Sequence, residues 1–286
     1  MKSVLLRLRE VQDSITGTGQ DIARYIRSHA EEVVGMNVRQ VAEATYTSPS
    51  SVIRVCKSIG FYGYKDFRQA LTMEVAAFGE EPVHKEQEIS REDSIAQIME
   101  KVTDRNIQSL TDTLRLLSPE VVEQCVSLIW HARNIVLFGI GASLCVARDA
   151  YLKFLRLNKP CILNDDWHSQ LLQARNASPS DVAIVFSYSG QTVEMIQCMR
   201  ELKQRRTPCI AITRYSPTPV TQLADYVLYT SANESLFRSG AMSSRLSQLN
   251  VVDILFSALS NCDTSSFLEQ LTRTHIVKPD EKRTDA

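Results

Sequence analysis

Val182-Ala183-Ile184-Val185-Phe186-Ser187-Tyr188-Ser189-Gly190-Gln191-Thr192-Val193-Glu194 opens as an unbroken apolar run and then breaks into hydroxyls and a glycine, after which a helical rhythm carries on to Leu202. A short strand that is apolar at every position is buried on both faces. It needs helices above and below, and so belongs in a parallel sheet. The same alternation recurs on both sides: from Ile135 to Phe138 and then Leu144 to Leu155, from Cys161 to Leu163, from Cys209 to Thr213, from Tyr226 to Tyr229, and a last helical stretch from Ser243 to Leu259. The spacing predicts a doubly wound α/β domain over residues 121–265, with 266–286 as a C-terminal tail.

Two strand-to-helix junctions of that domain carry chemistry. In Val136-Leu137-Phe138-Gly139-Ile140-Gly141-Ala142-Ser143, two glycines let the backbone turn sharply and approach a ligand, and Ser143 leads into a helix. In the opening stretch, Ser187, Ser189 and Thr192 surround the start of the next helix. Hydroxyls together with free N–H groups at a helix N-terminus make an anion cradle that needs no Lys or Arg. Both loops fall at the carboxyl edge of the sheet, where open α/β folds bind ligands. Each loop also has a plainer reading, because a lone G-x-G marks any tight turn and Ser or Thr after a strand often only caps a helix.

Upstream the pattern is helical throughout. Ile22, Ala23, Ile26, Ala30 and Val33 recur at helical spacing behind Thr18, a candidate N-cap. Two short helices follow, about Val38 to Ala44 and about Pro49 to Ile59, with Gly60 where the second should stop. Ala42 suits a close helix crossing, and Val41, Val52, Val55 and Ile59 form the inward stripe. The second helix then projects Ser50, Ser51, Arg54 and Lys57, short hydroxyls and cations that fit base edges and phosphates, while Tyr64 and Lys65 would touch flanking backbone. Arg39 and Ser48 complete the candidate DNA-binding set. Periodicity alone fits equally a small helical bundle with a solvated polar face. From Lys65 to about Phe78 another helix is expected, followed by a polar, acidic linker from Gly79 to Ser90 and helices from Ser94 to Leu116 and about Glu120 to Ala132. The expected units are thus 1–78, all helical, and 79–120, a linker and connecting helix.

Composition narrows the class. A chain of 286 residues accommodates two cores, and its net charge of -1 makes any basic surface local. Seven cysteines without a C-x-x-C pair suggest buried thiols in a reducing cytoplasm, and no metal site or cofactor is expected. Charge within the first apolar stretch argues against a signal peptide, and no run approaches membrane-spanning length.

Residues 1–78 resemble the N-terminal domain of the RpiR family of bacterial regulators, most closely from Arg39 to Phe67, through Ser50-Ser51-Val52-Ile53-Arg54, Ile59-Gly60-Phe61 and Gly63-Tyr64-Lys65-Asp66-Phe67. Tyr46 departs from that pattern at the turn position where the family carries Gly, and Thr47 stands where an apolar residue is usual. The two loops, with Asp166-Trp167-His168, Thr213 and the run from Ser239 to Arg245, resemble the SIS (sugar isomerase) domain. The resemblance implies that Ser143, Ser187, Ser189 and Thr192 hold the phosphate of a sugar phosphate effector. Gly141, Ala142, Gly190, Gln191 and Ser243 are placed beside them. His168 contacts the sugar or is a surface group, Glu234 and Arg238 form a rim ion pair or touch the effector, and Arg245 pairs with a carboxylate or closes the pocket. The partners implied are double-stranded operator DNA, a sugar phosphate and further copies of the chain as dimer or tetramer, with no membrane. The alternative is a phosphosugar isomerase, for which Glu194 and His168 are the available bases. An isomerase has no use for a DNA-reading module, and Glu194 at a helix start is explained by the macrodipole alone.

Overall fold

The computed structural model describes residues 3–15, 17–78, 89–232 and 241–275. The helical part comprises α1 (Val4–Val11), α2 (Gly17–Ser28), α3 (Ala30–Gly35), α4 (Val38–Ala44), α5 (Pro49–Ser58) and α6 (Tyr64–Phe78). Its core is the expected inward stripe, Ile22, Ile26, Val41, Ala42, Val52, Val55 and Ile59, closed by Leu5 and Leu8 of α1 and by Phe61 and Phe67. The single helix expected from Thr18 is two, because His29 leaves helical geometry (φ -134°, ψ 38°), and Thr18 lies inside α2 rather than capping it.

Two longer helices, α7 (Ile95–Leu116) and α8 (Pro119–His131), lead into a five-stranded sheet, each started by a serine cap, Ser94 and Ser118. The strands are β1 (Ile135–Phe138), β2 (Cys161–Leu163), β3 (Val182–Phe186), β4 (Cys209–Arg214) and β5 (Tyr226–Thr230). They are all parallel in the order β2-β1-β3-β4-β5. Alternate residues of the central strands face opposite layers, which is why no polar alternation is seen. Ile135, Leu137, Ile184 and Phe186 pack with α8, α9 (Ala142–Arg156) and α13 (Met242–Cys262). Val136, Phe138, Ala183 and Val185 pack with α10 (Trp167–Asn176), α11 (Val193–Gln204) and α12 (Pro219–Leu223). Residues expected to be a tail instead begin as a helix, α14 (Thr264–Arg273). None of the helices among the described residues is long and apolar enough to cross a membrane.

Candidate functional site

Three helices point their N-termini into one cavity at the carboxyl edge of the sheet, between the β1–α9 and β3–α11 loops and the start of α13. Most helices of this protein with a described cap spend a side chain on it; Ser118, Asp166 and Thr218 each accept a hydrogen bond from a backbone amide three residues on. The three at the cavity do not. Gly141 and Ala241 have no side chain able to cap α9 and α13, and the Thr192 hydroxyl makes no cap bond to α11. Uncapped first-turn amides and three aligned helix dipoles place partial positive charge at one point. The cavity is about 80 Å³, well below the roughly 300–1,000 Å³ of sites that enclose a whole drug-sized ligand, and so suits a compact anionic group.

The side chains are held by hydrogen bonds, most of them between residues distant in sequence. Ser187 is buried, and its hydroxyl donates to Thr192 Oγ1 at 3.4 Å. Ser143 donates to the buried Gln248 Oε1 at 3.2 Å, and Gln248 donates to the Ile212 carbonyl at 3.2 Å. Buried Gln170 clamps the first loop by accepting from the Gly139 amide and donating to the Gly139 carbonyl. Gly141 and Gly190 both have positive φ, 61° and 65°. A Cβ on Gly190 would lie 2.3 Å from Thr218 Oγ1, so only glycine fits under α12.

Of the residues singled out in the sequence, Ala142, Ser143, Ser187, Ser189 and Thr192 line the cavity. Gly141, Gly190 and Gln191 shape its loops without lining it; the Gln191 amide donates to Ser189 Oγ. Ser243 turns away, its hydroxyl donating to Asn106 Oδ1 of α7 at 2.9 Å. His168 is exposed in the first turn of α10, outside the lining, next to Asp166, whose carboxyl is held low by hydrogen bonds from Ser169. Glu234 and Arg238 lie outside the described residues. Arg245, exposed one turn into α13, lines the cavity and brings a formal cation to it. Tyr188, Ser244 and Gln248 also line it. Tyr188 stands between two of the cradle serines without having been singled out, and Ser244 and Gln248 lie about 50 residues or more from the loops, linked to them only by the fold.

On the helical side, α4 and α5 meet through a tight turn in which Tyr46 takes φ 51° and the Thr47 amide donates to the Ala42 carbonyl at 2.8 Å. The turn keeps the left-handed geometry that glycine favours, with a tyrosine in it. Thr47 is half-buried, its hydroxyl 2.9 Å from that of Thr45, so a hydroxyl pair replaces the usual apolar contact. Ser48 caps α5 through the Ser51 amide, and Arg54 donates to Ser51 Oγ at 3.2 Å. Arg39, Ser48, Ser50, Arg54, Lys57 and Lys65 are exposed, and Ser51 is partly so. Tyr64 is a correction. It is buried against Phe67, its hydroxyl donates to the Met36 carbonyl at 3.0 Å, and burial pushes its pKa up to about 12. Its neighbour Tyr62 is the exposed ring, 94% accessible.

Residues 2–77 match the helix-turn-helix domain of the rpiR family, and residues 128–258 match the SIS domain. An uncharacterized HTH-type transcriptional regulator of Caldanaerobacter subterraneus subsp. tengcongensis is 33% identical over 277 residues, 97% of each chain. The HTH-type transcriptional regulator YbbH of Bacillus subtilis is 32% identical over 255 residues, 88% of this chain and 89% of its own. Among solved structures, the Vibrio vulnificus NanR protein complexed with ManNAc-6P covers 95% of this chain and 96% of its own, at 26% identity and a TM-score of 0.59.

Proposed function

Since the chain belongs to the RpiR family of HTH-type transcriptional regulators, with a SIS domain behind its helix-turn-helix, we propose that a phosphorylated sugar, its phosphate seated in the cavity, changes its affinity for operator DNA. The observation that carries this reading is the meeting of three side-chain-uncapped helix N-termini with Ser187, Thr192 and Arg245 in one small cavity. A phosphate offers acceptor oxygens to helix starts that no cap side chain serves, and it would gain both dipole and hydroxyl contacts there. That NanR is complexed with an N-acetylmannosamine phosphate makes that class of ligand a natural first choice. Catalysis fits less well. Sugar phosphate isomerisation needs a base at the reacting carbon, and among the described residues neither a carboxylate nor a histidine lines the cavity. On the DNA side, α5 would enter the major groove with Ser50, Arg54 and Lys57 forward, and a dimer or tetramer would present two such helices to symmetric half-sites.

The test is calorimetric titration with N-acetylmannosamine 6-phosphate, glucose 6-phosphate, the two unphosphorylated sugars and inorganic phosphate. Binding should require the phosphate. Ser189→Glu, which puts a carboxylate into the cradle, should weaken it at least about tenfold, or about 1.4 kcal/mol. Wild-type affinity in that variant would mean the loop is only a helix start and the effector binds elsewhere.

A further inference from the structure

The carboxyl end of α5 is held by a residue of the other domain. α5 ends in a glycine cap: Gly60 has φ 87°, the Gly60 amide donates to Lys57 and the Phe61 amide to Cys56. Such caps leave a last carbonyl needing outside donors. Here the Ile59 carbonyl accepts from the Tyr215 hydroxyl at 2.9 Å and from Arg7 Nη1 of α1 at 3.2 Å. Tyr215 directly follows β4, yet its ring packs on the core of the helical domain. Arg7 sits over that ring at 5.0 Å, and Tyr229 of β5 meets it edge-on at 4.7 Å. Burial pushes the Tyr215 pKa up to about 12, so the hydroxyl keeps its proton and remains a donor.

Tyr215 is also next to the cavity loop. The Tyr188 carbonyl accepts from the Arg214 amide at 3.1 Å and from Thr213 Oγ1 at 3.3 Å. From its other end, the Tyr188 hydroxyl donates to the Ala232 carbonyl at 3.3 Å. The preceding residue, Ser231, donates to Glu10 of α1 at 2.6 Å and accepts from Arg9 at 3.2 Å. A single cavity residue is thereby hydrogen-bonded towards α5 through one end and towards α1 through the other.

We infer that Tyr215 is a positioning residue for DNA recognition: it fixes the end of α5 relative to the cavity loop, and an occupant of the cavity changes operator affinity through it. This rests on the effector reading above. Moving Tyr188 moves Arg214 and hence the donor to Ile59, whereas Arg7, carried by α1, keeps that carbonyl paired, so the two domains can shift without leaving a buried acceptor empty.

The experiment uses the full chain, a duplex selected by the wild-type protein from a randomised pool, and whichever of N-acetylmannosamine 6-phosphate and glucose 6-phosphate binds it. Duplex affinity is measured with and without saturating sugar phosphate for wild type, Tyr215→Phe, Ser231→Ala and the double variant. Tyr215→Phe keeps the ring contacts and loses only the hydroxyl, so its melting temperature should stay within about 4 °C and its sugar phosphate affinity within about threefold of wild type. The change in duplex affinity on adding sugar phosphate should shrink at least about fivefold, and further in the double variant. A wild-type response in Tyr215→Phe overturns the assignment, whatever the double variant does. A wild-type protein that binds neither sugar phosphate overturns the effector reading and the coupling together, which separates the two failures.

Discussion

Tyr46 is 98% exposed and yet holds φ 51°, a conformation whose cost no packing contact of its ring offsets. A side chain in left-handed backbone costs roughly 1–2 kcal/mol, so Tyr46→Gly should raise the unfolding free energy by about 1 kcal/mol after the added chain entropy of glycine. Urea unfolding would check it, and a lower midpoint in the variant would mean the ring makes a stabilising contact. The departure from the family pattern was visible in the sequence, but whether the turn would bend to suit tyrosine was not. It did not, because the Thr47 bond to Ala42 and the packing of Val41, Ala42 and Val52 set the turn from both sides. Gly190 was legible as a loop residue only. Its obligation to be glycine comes from Thr218, which no local pattern connects to it. Tyr62 and Tyr64 were indistinguishable by type, and two steps along the chain decide which of them the Met36 carbonyl captures.

At the scale of elements, α5 follows its sequence closely, because Pro49 at its first position, the Ser48 cap and Gly60 at its end are all local signals. Its outward face makes separable predictions. Arg54→Ala should cost about 1–3 kcal/mol on the selected sequence and relax the preference at one base, as an arginine on a guanine edge does. Lys57→Ala should weaken all sequences alike and flatten the salt dependence. Gel shifts on matched and mismatched duplexes over a salt series distinguish the two, and uniform weakening by Arg54→Ala would reverse the roles. α7 shows the opposite case. Its length and Ser94 start were readable, but its polar Ser109, Asp112 and Thr113 are the buried side and its apolar Ile95, Met99, Ile107 and Leu114 are exposed. Periodicity finds a stripe, whereas hydrogen-bond partners decide which stripe goes in, and those partners, Ser231 and Arg9, lie more than a hundred residues away. The five-residue α12 offered too few turns for a period to register.

Across the whole molecule, the contact between α1 and the α/β part contains an ionisable group under strain. Glu10 is buried, and the loss of water raises its pKa despite Arg9 beside it. Arg9 is shared, because it also pairs with the fully buried Asp112 at 2.5 Å. A raised carboxyl pKa means the folded chain binds the proton more tightly than the unfolded one. Stability from this site is therefore greatest below the unfolded value near 4.5 and is lost as the pH climbs from there through the raised folded pKa. Glu10→Gln keeps an oxygen for Ser231 and removes the charge, so it should raise the melting temperature by a few degrees at pH 8 and make little difference near pH 4. Equal effects at both pH values would show that Glu10 is ionised without penalty. Nothing local announces this contact. The sequence supports two domains and a polar stretch between them, while their meeting surface depends on side chains that are ordinary surface residues until the halves dock.

One detail of that surface bears on how such a protein can change over generations. The Ile59 carbonyl has two donors, Tyr215 and Arg7, on separate elements. An acceptor with one donor ties its function to its survival, since losing the donor leaves a buried polar atom empty at a cost of about 1–3 kcal/mol. With two, a single substitution at position 215 can alter how strongly one domain answers the other while the fold remains whole. Responsiveness can then drift towards a new signal in small steps, each of them a stable protein.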